Sequence, residues 1–259
     1  MDSARQLIAQ PRVLVIAHRG DSLEAPENTL PAFASAVKIG ADLVELDYRH
    51  SADGVPVVFH DALLDRATDA VARWAQEKIP LTTKTLAELC VLDAGSWFDP
   101  RFGGARIATL AEALDTITAG SMTLIEHKAG DAATCVELLK SKQMLDRTVV
   151  QSFDWDYLAE CHRLAPNLAL VALGEKQLDE RQLDEMASTG AIAVGWENES
   201  TDRDTIAAIH RRGWKAWVWT ADHPGRMREL ITLGIDGIIT NRPRHLQQVL
   251  AELANSQNG

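Results

Sequence analysis

Val13-Leu-Val-Ile-Ala-His-Arg-Gly20 is the stretch on which the reading of the fold turns. Its first five residues are apolar and β-rich, and the run is short, as in a strand buried on both faces. Such strands belong to parallel sheets covered by helices. The run then ends in a histidine, an arginine and a glycine. These supply a proton-transfer group, an anion clamp and room for close approach. Alternation places His18 on the face of Leu14 and Ile16, and Arg19 on the other, unless the strand has already ended. Pro26-Glu-Asn-Thr29 follows, and the pattern predicts a helix over Thr29–Ile39, ended by Gly40.

Working outward, the same strand-helix unit recurs. Further strands are predicted at Asp42–Tyr48, Thr123–Lys128, Thr148–Phe153, Leu168–Leu173, Ile192–Trp196, Lys215–Thr220 and Gly237–Thr240. Helices are predicted at Ala132–Lys142, Tyr157–Leu164, within Asp179–Ser188, at Asp204–Arg212, within Gly225–Leu233 and at Arg244–Leu253. Eight strand-helix pairs fit a closed (β/α)₈ TIM barrel of class α/β, with an open doubly wound sheet as the alternative. The whole chain, 1–259, reads as one domain. The rhythm breaks once, between the second and third strands. There Val55–Phe59 forms another apolar run, and about 61–108 reads as a small cap inserted over the barrel mouth, carrying Trp74, Trp97, Phe98 and Phe102. Helices are expected near Leu86–Cys90 and at Leu110–Ile117.

The chain has 259 residues, 46% hydrophobic, and a formal net charge of -11. That charge opposes bulk attraction to nucleic acid or an anionic membrane. An anionic substrate would need a local positive patch or a metal. Cys90, Cys135 and Cys161 are widely spaced and form neither a zinc pattern nor a disulfide framework. The first residues lack a basic segment followed by a signal-like apolar run, and no stretch is long enough to span a bilayer. A cytoplasmic location without stable membrane association is the expectation.

Chemistry-bearing groups gather at the predicted strand ends, where such barrels build their sites. Glu45 and Asp47 are two apart in one strand and share a face. Glu126 ends another strand. Three carboxylates without a cysteine suit a hard cation, Mg²⁺ or Ca²⁺, better than zinc. His60 ends the run Val57-Val-Phe-His60, and with His18 it makes an acid-base pair of catalytic groups. Lys128 shares the face of Glu126 and can neutralise a phosphate oxygen, or form a structural salt bridge. His127, between them, points to the helices. Trp217 and Trp219 share a face, and Trp219, nearer the mouth, is the candidate wall for an apolar or choline-bearing part of a ligand.

Taken together, these residues resemble the glycerophosphodiester phosphodiesterase family. The resemblance rests on Ala17-His-Arg-Gly20, Pro26-Glu-Asn-Thr29, Val44-Glu-Leu-Asp47, Val58-Phe-His-Asp61, Leu64-Asp-Arg66, Asp93-Ala-Gly-Ser-Trp97, Glu126-His-Lys128, Gln151-Ser-Phe153, Val218-Trp-Thr220 and Gly234-Ile-Asp-Gly-Ile-Ile-Thr240. It covers nearly the whole chain. It implies a TIM barrel with a cap, a divalent metal on Glu45, Asp47 and Glu126, and His18 and His60 as acid and base in either order. It also implies a small-molecule phosphodiester substrate bound by Arg19 and Lys128, with Glu27 supporting the first-strand loop or the metal. The implied reaction cleaves a glycerophosphodiester to glycerol 3-phosphate and an alcohol through a cyclic phosphate. Three positions depart from the family's habit. His127 stands where an aliphatic residue is usual, Ala108 where proline is common, and Asn241 where aspartate is frequent. A lysophospholipase D or sphingomyelinase-D-like phosphodiesterase is the alternative enzyme on this barrel. A silent barrel that binds a phosphorylated metabolite is the alternative of another class.

Overall fold

The structure, a computed structural model, describes residues 3–257. Its sheet holds β1 Leu14–Ala17, β2 Leu43–His50, β3 Pro56–Val58, β4 Met122–His127, β5 Thr148–Ser152, β6 Ala169–Gly174, β7 Ala193–Glu197, β8 Lys215–Trp219 and β9 Gly237–Thr240. The strand order is β1-β9-β8-β7-β6-β5-β4-β2-β3, and β1 also pairs with β2. Eight parallel strands therefore close on themselves, while β3 hangs antiparallel on the end of β2. This is the (β/α)₈ barrel, and closure excludes the open sheet.

Between the strands run α2 Leu30–Lys38, α5 Leu110–Ile117, α6 Ala132–Ser141, α7 Trp155–Leu164, α8 Glu180–Ala187, α9 Arg203–Arg211, α10 Pro224–Leu233 and α11 Pro243–Gln257. Their starts follow local chemistry. Thr109 accepts from the Glu112 backbone N–H while the Glu112 carboxylate accepts from Thr109 N–H, a capping box at the start of α5. Asp131, Asp154, Asp179 and Asp202 likewise accept from backbone N–H groups at the starts of α6, α7, α8 and α9. Among the described residues, no helix is long and apolar enough to cross a membrane.

Alternation along each strand sorts its residues between two layers. Val44, Leu46, Tyr48 and Ile125 pack outward against the helices. Leu14, Ile16, Leu43, Leu124, Val149, Val171, Trp217 and Ile239 fill the barrel interior. Gly237 belongs to that interior because of its neighbour: a Cβ there would lie 2.7 Å from Trp217 Cδ1.

The short helix α1, Ala4–Ile8, was not foreseen. It closes the amino end of the barrel by adding Ala4, Leu7 and Ile8 to the interior cluster. Burying Leu7 and Ile8 contributes on the order of 1.5–3 kcal/mol each. Ser3 and Gln6 form a capping box at its start, a sequence signal that was available. The amino end of the interior is thus plugged, and the polar strand ends lie at the carboxyl end.

The segment after β3 folds into its own small core. Phe59, Leu64, Ala70, Ile79, Leu81, Leu89, Leu92 and Ile107 pack together with Val57. It contains α3 Ala70–Trp74 and α4 Leu86–Leu89.

Candidate active site

Above the apolar plug, the interior positions turn acidic. Glu45 and Asp47 continue the inward face of β2 beyond Leu43, and Glu126 continues that of β4 beyond Leu124. Asp47 and Glu126 are direct register partners. All three carboxylates are buried, and one oxygen from each lies within 4.8 Å of the others.

Two cations stand against them. The Lys128 ammonium contacts Glu126 and lies 3.4 Å from Asp47 Oδ1. Arg19 Nε lies 3.2 Å from Asp47 Oδ2, and its Nη1 donates to Glu27 Oε1 at 3.0 Å. Asn28 Nδ2 donates to Asp47 Oδ2 at 2.8 Å.

The balance of these contacts separates the three acids. Burial opposes ionisation of Asp47, but Arg19 and Lys128 outweigh it and hold Asp47 below its ordinary value. Burial, reinforced by Asp47 and Glu126, pushes Glu45 well above the carboxylate range. Burial and the Asp47 charge push Glu126 up to about 7. Glu45 Oε1 is buried without a hydrogen-bond donor, and Asp47 Oδ1 has only the Lys128 ammonium at 3.4 Å, outside hydrogen-bond geometry. Buried acceptors without donors are costly, and oxygen-only donors suit Mg²⁺ or Ca²⁺. The residues present therefore fit a divalent cation.

Arg19 reaches this site by a turn that strand alternation does not describe. β1 ends at Ala17, and Arg19 adopts φ 54 in the left-handed region. The opposite-face expectation assumed a continuing strand. Instead the turn brings His18 and Arg19 to the same mouth, with Arg19 N–H donating to Glu45 Oε2 at 2.7 Å. Gly20 completes the turn at φ 86, and a Cβ there would lie 2.7 Å from Ala32. Only glycine fits.

The His18 ring lies deep among protein atoms yet keeps part of its surface open to the mouth. Its Nδ1 is 2.7 Å from Asn241 Oδ1. Burial, then the Arg19 charge, pushes His18 down to about 4, so the ring is neutral at physiological pH.

His60 follows β3. Phe59 N–H donates to Asp47 O at 3.0 Å, which brings this loop beside the acids. Arg49 Nε and Nη2 donate to the His60 carbonyl at 3.0 and 2.8 Å. His60 Nδ1 is 2.7 Å from Asp61 Oδ1. Arg66 then joins the two arms of the site. Its Nε donates to Asp61 Oδ2 at 2.6 Å and its Nη2 to Glu27 Oε1 at 2.6 Å. Burial opposes ionisation of Glu27, but Arg66 and Arg19 outweigh it.

A cavity of about 520 Å³ opens on the His60 side of the site, lined by Arg49, His60, Asp61, Ala62, Leu63, Asp65, Arg66 and Lys128. A depression of the same volume between α8 and α9 is lined by Asp179, Glu180, Asp202 and Arg211. It holds none of the strand-end groups.

Trp219 is partly buried, packs on the interior cluster, and meets exposed Phe153 edge-to-face at 5.3 Å. His127 points the other way. Its ring stacks on Tyr157 of α7 at 3.6 Å, in the helix layer. Sequence reasoning did not single out Arg49 or Asp222, and named Asn28, Arg66 and Gln151 only within motifs. Gln151 Nε2 donates to Glu126 Oε2 at 3.2 Å. Arg49 and Gln151 had a legible signal, since each shares the inward face or register of an acid already identified.

Residues 18–245 match the sequence profile of the Glycerophosphoryl diester phosphodiesterase family. A glycerophosphodiester phosphodiesterase of Bacillus subtilis is 30% identical over 93% of this chain and 87% of its own length. One from Caldanaerobacter subterraneus is 32% identical, covering 91% of this chain and 96% of its own. Among solved structures, an Oleispira antarctica phosphodiesterase in complex with the product sn-glycerol-3-phosphate superposes with a TM-score of 0.84. It is 29% identical and covers 92% of this chain and 96% of its own.

Proposed function

The chain belongs to the glycerophosphoryl diester phosphodiesterase family, and from that premise we propose a metal-assisted hydrolysis of small glycerophosphodiesters carried by His18 and His60. It is a glycerophosphodiester phosphodiesterase. The finer reading rests on one observation above all: two histidines flank a buried acidic trio at the carboxyl end of the barrel.

Glu45, Asp47 and Glu126 would hold the cation, Mg²⁺ or Ca²⁺. When bound, it supplies Lewis-acid polarisation of a phosphoryl oxygen. Arg19 and Lys128 would bind the phosphate and stabilise charge on its other oxygens. His18 Nε2 takes the proton of the glycerol 2-hydroxyl as that oxygen attacks phosphorus. His60 gives a proton to the departing alcohol oxygen. This leaves a cyclic phosphate and a free alcohol. His60, now neutral, then takes a proton from water, and the resulting attack opens the ring. His18 returns its proton to the 2-hydroxyl oxygen, giving glycerol 3-phosphate.

The order of roles follows the partners. The His60 ring faces a carboxylate, which pairs with a positive imidazolium. The His18 ring faces a neutral amide and is itself held neutral. The segment 61–108 would act as the cap, and Trp219 would wall the alcohol side. The product named for the Oleispira relative supports a glycerol phosphate in this site. Release of glycerol 3-phosphate from a panel of glycerophosphodiesters, with and without chelator, tests the proposal. No release from any member would refute it.

A further inference from the structure

We propose that Asp222 and Asn241 together set the tautomer of His18, leaving its proton on Nδ1 and its free lone pair on Nε2, and that this is what makes His18 the base of the first step. The inference rests on the reading above, in which His18 transfers a proton. Asp222 and Asn241 are positioning residues here, acting through the ring.

The geometry allows one orientation of the Asn241 amide. Asn241 directly follows β9, and His18 N–H donates to Thr240 O at 2.9 Å, so the ends of β1 and β9 lie side by side. An asparagine side chain has a donor end and an acceptor end, and only its neighbours decide which faces where. Asp222 decides it here. Its Oδ1 accepts from Asn241 N–H and from the Thr240 hydroxyl, both at 2.8 Å. Its Oδ2 accepts from Asn241 Nδ2 at 2.7 Å. Asp222 thus acts wholly as an acceptor, and it takes the donor end of the amide.

The acceptor end, Oδ1, then faces His18 Nδ1 at 2.7 Å, and Ser22 Oγ approaches it at 2.9 Å. A reversed amide would set its oxygen against the Asp222 carboxylate and its NH₂ against the ring. An oxygen opposite Nδ1 requires a proton on Nδ1, and the neutral ring then carries its lone pair on Nε2. Because the partner is an amide, this orientation is fixed without a second negative charge beside the ring. The charged groups that do act on the ring are Arg19, which disfavours its protonation, and Asp47 and Glu27, which favour it. Burial and Arg19 prevail. An aspartate at this position would keep the acceptor but add charge. Asn241 fixes the tautomer and leaves the ring neutral.

The test combines two readouts on the metal-loaded protein. Nitrogen-15 NMR of labelled histidines reads the His18 tautomer without substrate, with the His18 signal assigned by its loss in His18→Gln. Steady-state kinetics on glycerophosphocholine separate kcat from KM. Wild-type His18 is expected as the Nδ1–H tautomer. Asp222→Asn is nearly isosteric and keeps the acceptor for Asn241 N–H. Its new NH₂ opposes the Asn241 NH₂ and turns that amide over. His18 should then shift toward the Nε2–H form, with kcat lower by about 10²–10⁴-fold and KM little changed. The double variant Asp222→Asn/Asn241→Asp restores the acceptor, because the carboxylate at 241 takes the new NH₂ at 222 on one oxygen and faces Nδ1 with the other. It should keep the Nδ1–H form whenever the ring is neutral, and retain far more activity than Asn241→Leu. An Nε2–H ring in the wild type, or an unchanged tautomer in Asp222→Asn, would overturn the proposal even if His18→Ala is inactive. Near-wild-type kcat in His18→Ala would overturn it differently, by removing the underlying role of His18 while the tautomer still follows Asp222.

Discussion

Asp47 and Glu126 face each other as register partners on neighbouring strands, and the Lys128 ammonium touches Glu126 while lying 3.4 Å from Asp47. Two buried acids share one cation, and Asp47 has Arg19 and Asn28 in direct contact, whereas Glu126 has Gln151 and feels Arg19 only from farther off. That asymmetry holds Asp47 ionised and pushes Glu126 up to about 7.

Metal binding should therefore release protons near neutral pH. A cation competes with the proton on Glu126 and with the one on Glu45, which is also raised. Apparent affinity for Mg²⁺ or Ca²⁺ should rise with pH through about 7. Calorimetric titration in buffers of different ionisation enthalpy measures the protons released. Binding without proton release, at constant affinity from pH 6 to pH 8, would count against this electrostatic account.

The same shift sets the stability of the chelated protein. Between the ordinary carboxylate range and their raised values, Glu45 and Glu126 bind more protons folded than unfolded. Their contribution is therefore present at low pH and lost as pH rises through the raised values. Glu45→Gln removes one repelling charge and should flatten this decline. At pH 8 it should melt about 2–4 °C above the chelated wild type, the shift that about 1 kcal/mol produces in a chain of this size. It should also lose the stabilisation that added metal gives the wild type. Thermal melts with and without metal decide this, and a variant that melts lower at pH 8 would contradict it.

Arg66 bridges Asp61, the partner of His60, to Glu27, the partner of Arg19. A planar guanidinium meets both carboxylates at once, which a lysine ammonium does less well. Arg66→Lys should lower kcat about 10-fold and Arg66→Ala about 10²-fold, with the fold intact by circular dichroism. Equal activity in all three proteins would show that the bridge is dispensable.

Much of this arrangement was legible in the sequence, for a physical reason. Parallel strands buried on both faces read as short apolar runs, and period-two alternation put Glu45 and Asp47 on one face, which the structure turns inward with Leu43, as it does Glu126 with Leu124. Alternation also turned His127 away, and the structure stacks it on Tyr157. The rule failed where the backbone left the strand, at Arg19 with φ 54. It was silent about contacts made by closure of the barrel. Asn241 meets His18 across 223 residues only because β9 pairs with β1, and no local pattern encodes that meeting. The helix α1 was missed because five residues are too few to show a period.

Substrate choice follows from the charge and shape of the mouth. The cavity beside Lys128 measures about 520 Å³ and sets Arg49, Arg66 and Lys128, which suit a phosphate, beside the short apolar stretch Ala62-Leu63, which leaves room for a small headgroup. Glycerophosphocholine or glycerophosphoethanolamine should show a higher kcat/KM than lysophosphatidylcholine, by about 10-fold or more. The reverse order would favour the lysophospholipase D reading.

The central claim is that His18 and His60 move the protons of a glycerophosphodiester hydrolysis, and kcat for glycerol 3-phosphate release by the two single alanine variants tests it most directly. Measured on the metal-loaded protein with glycerophosphocholine, His18→Ala and His60→Ala should each fall about 10²–10⁴-fold below the wild type while keeping its melting profile. A folded variant at either position with near-wild-type kcat would contradict the account.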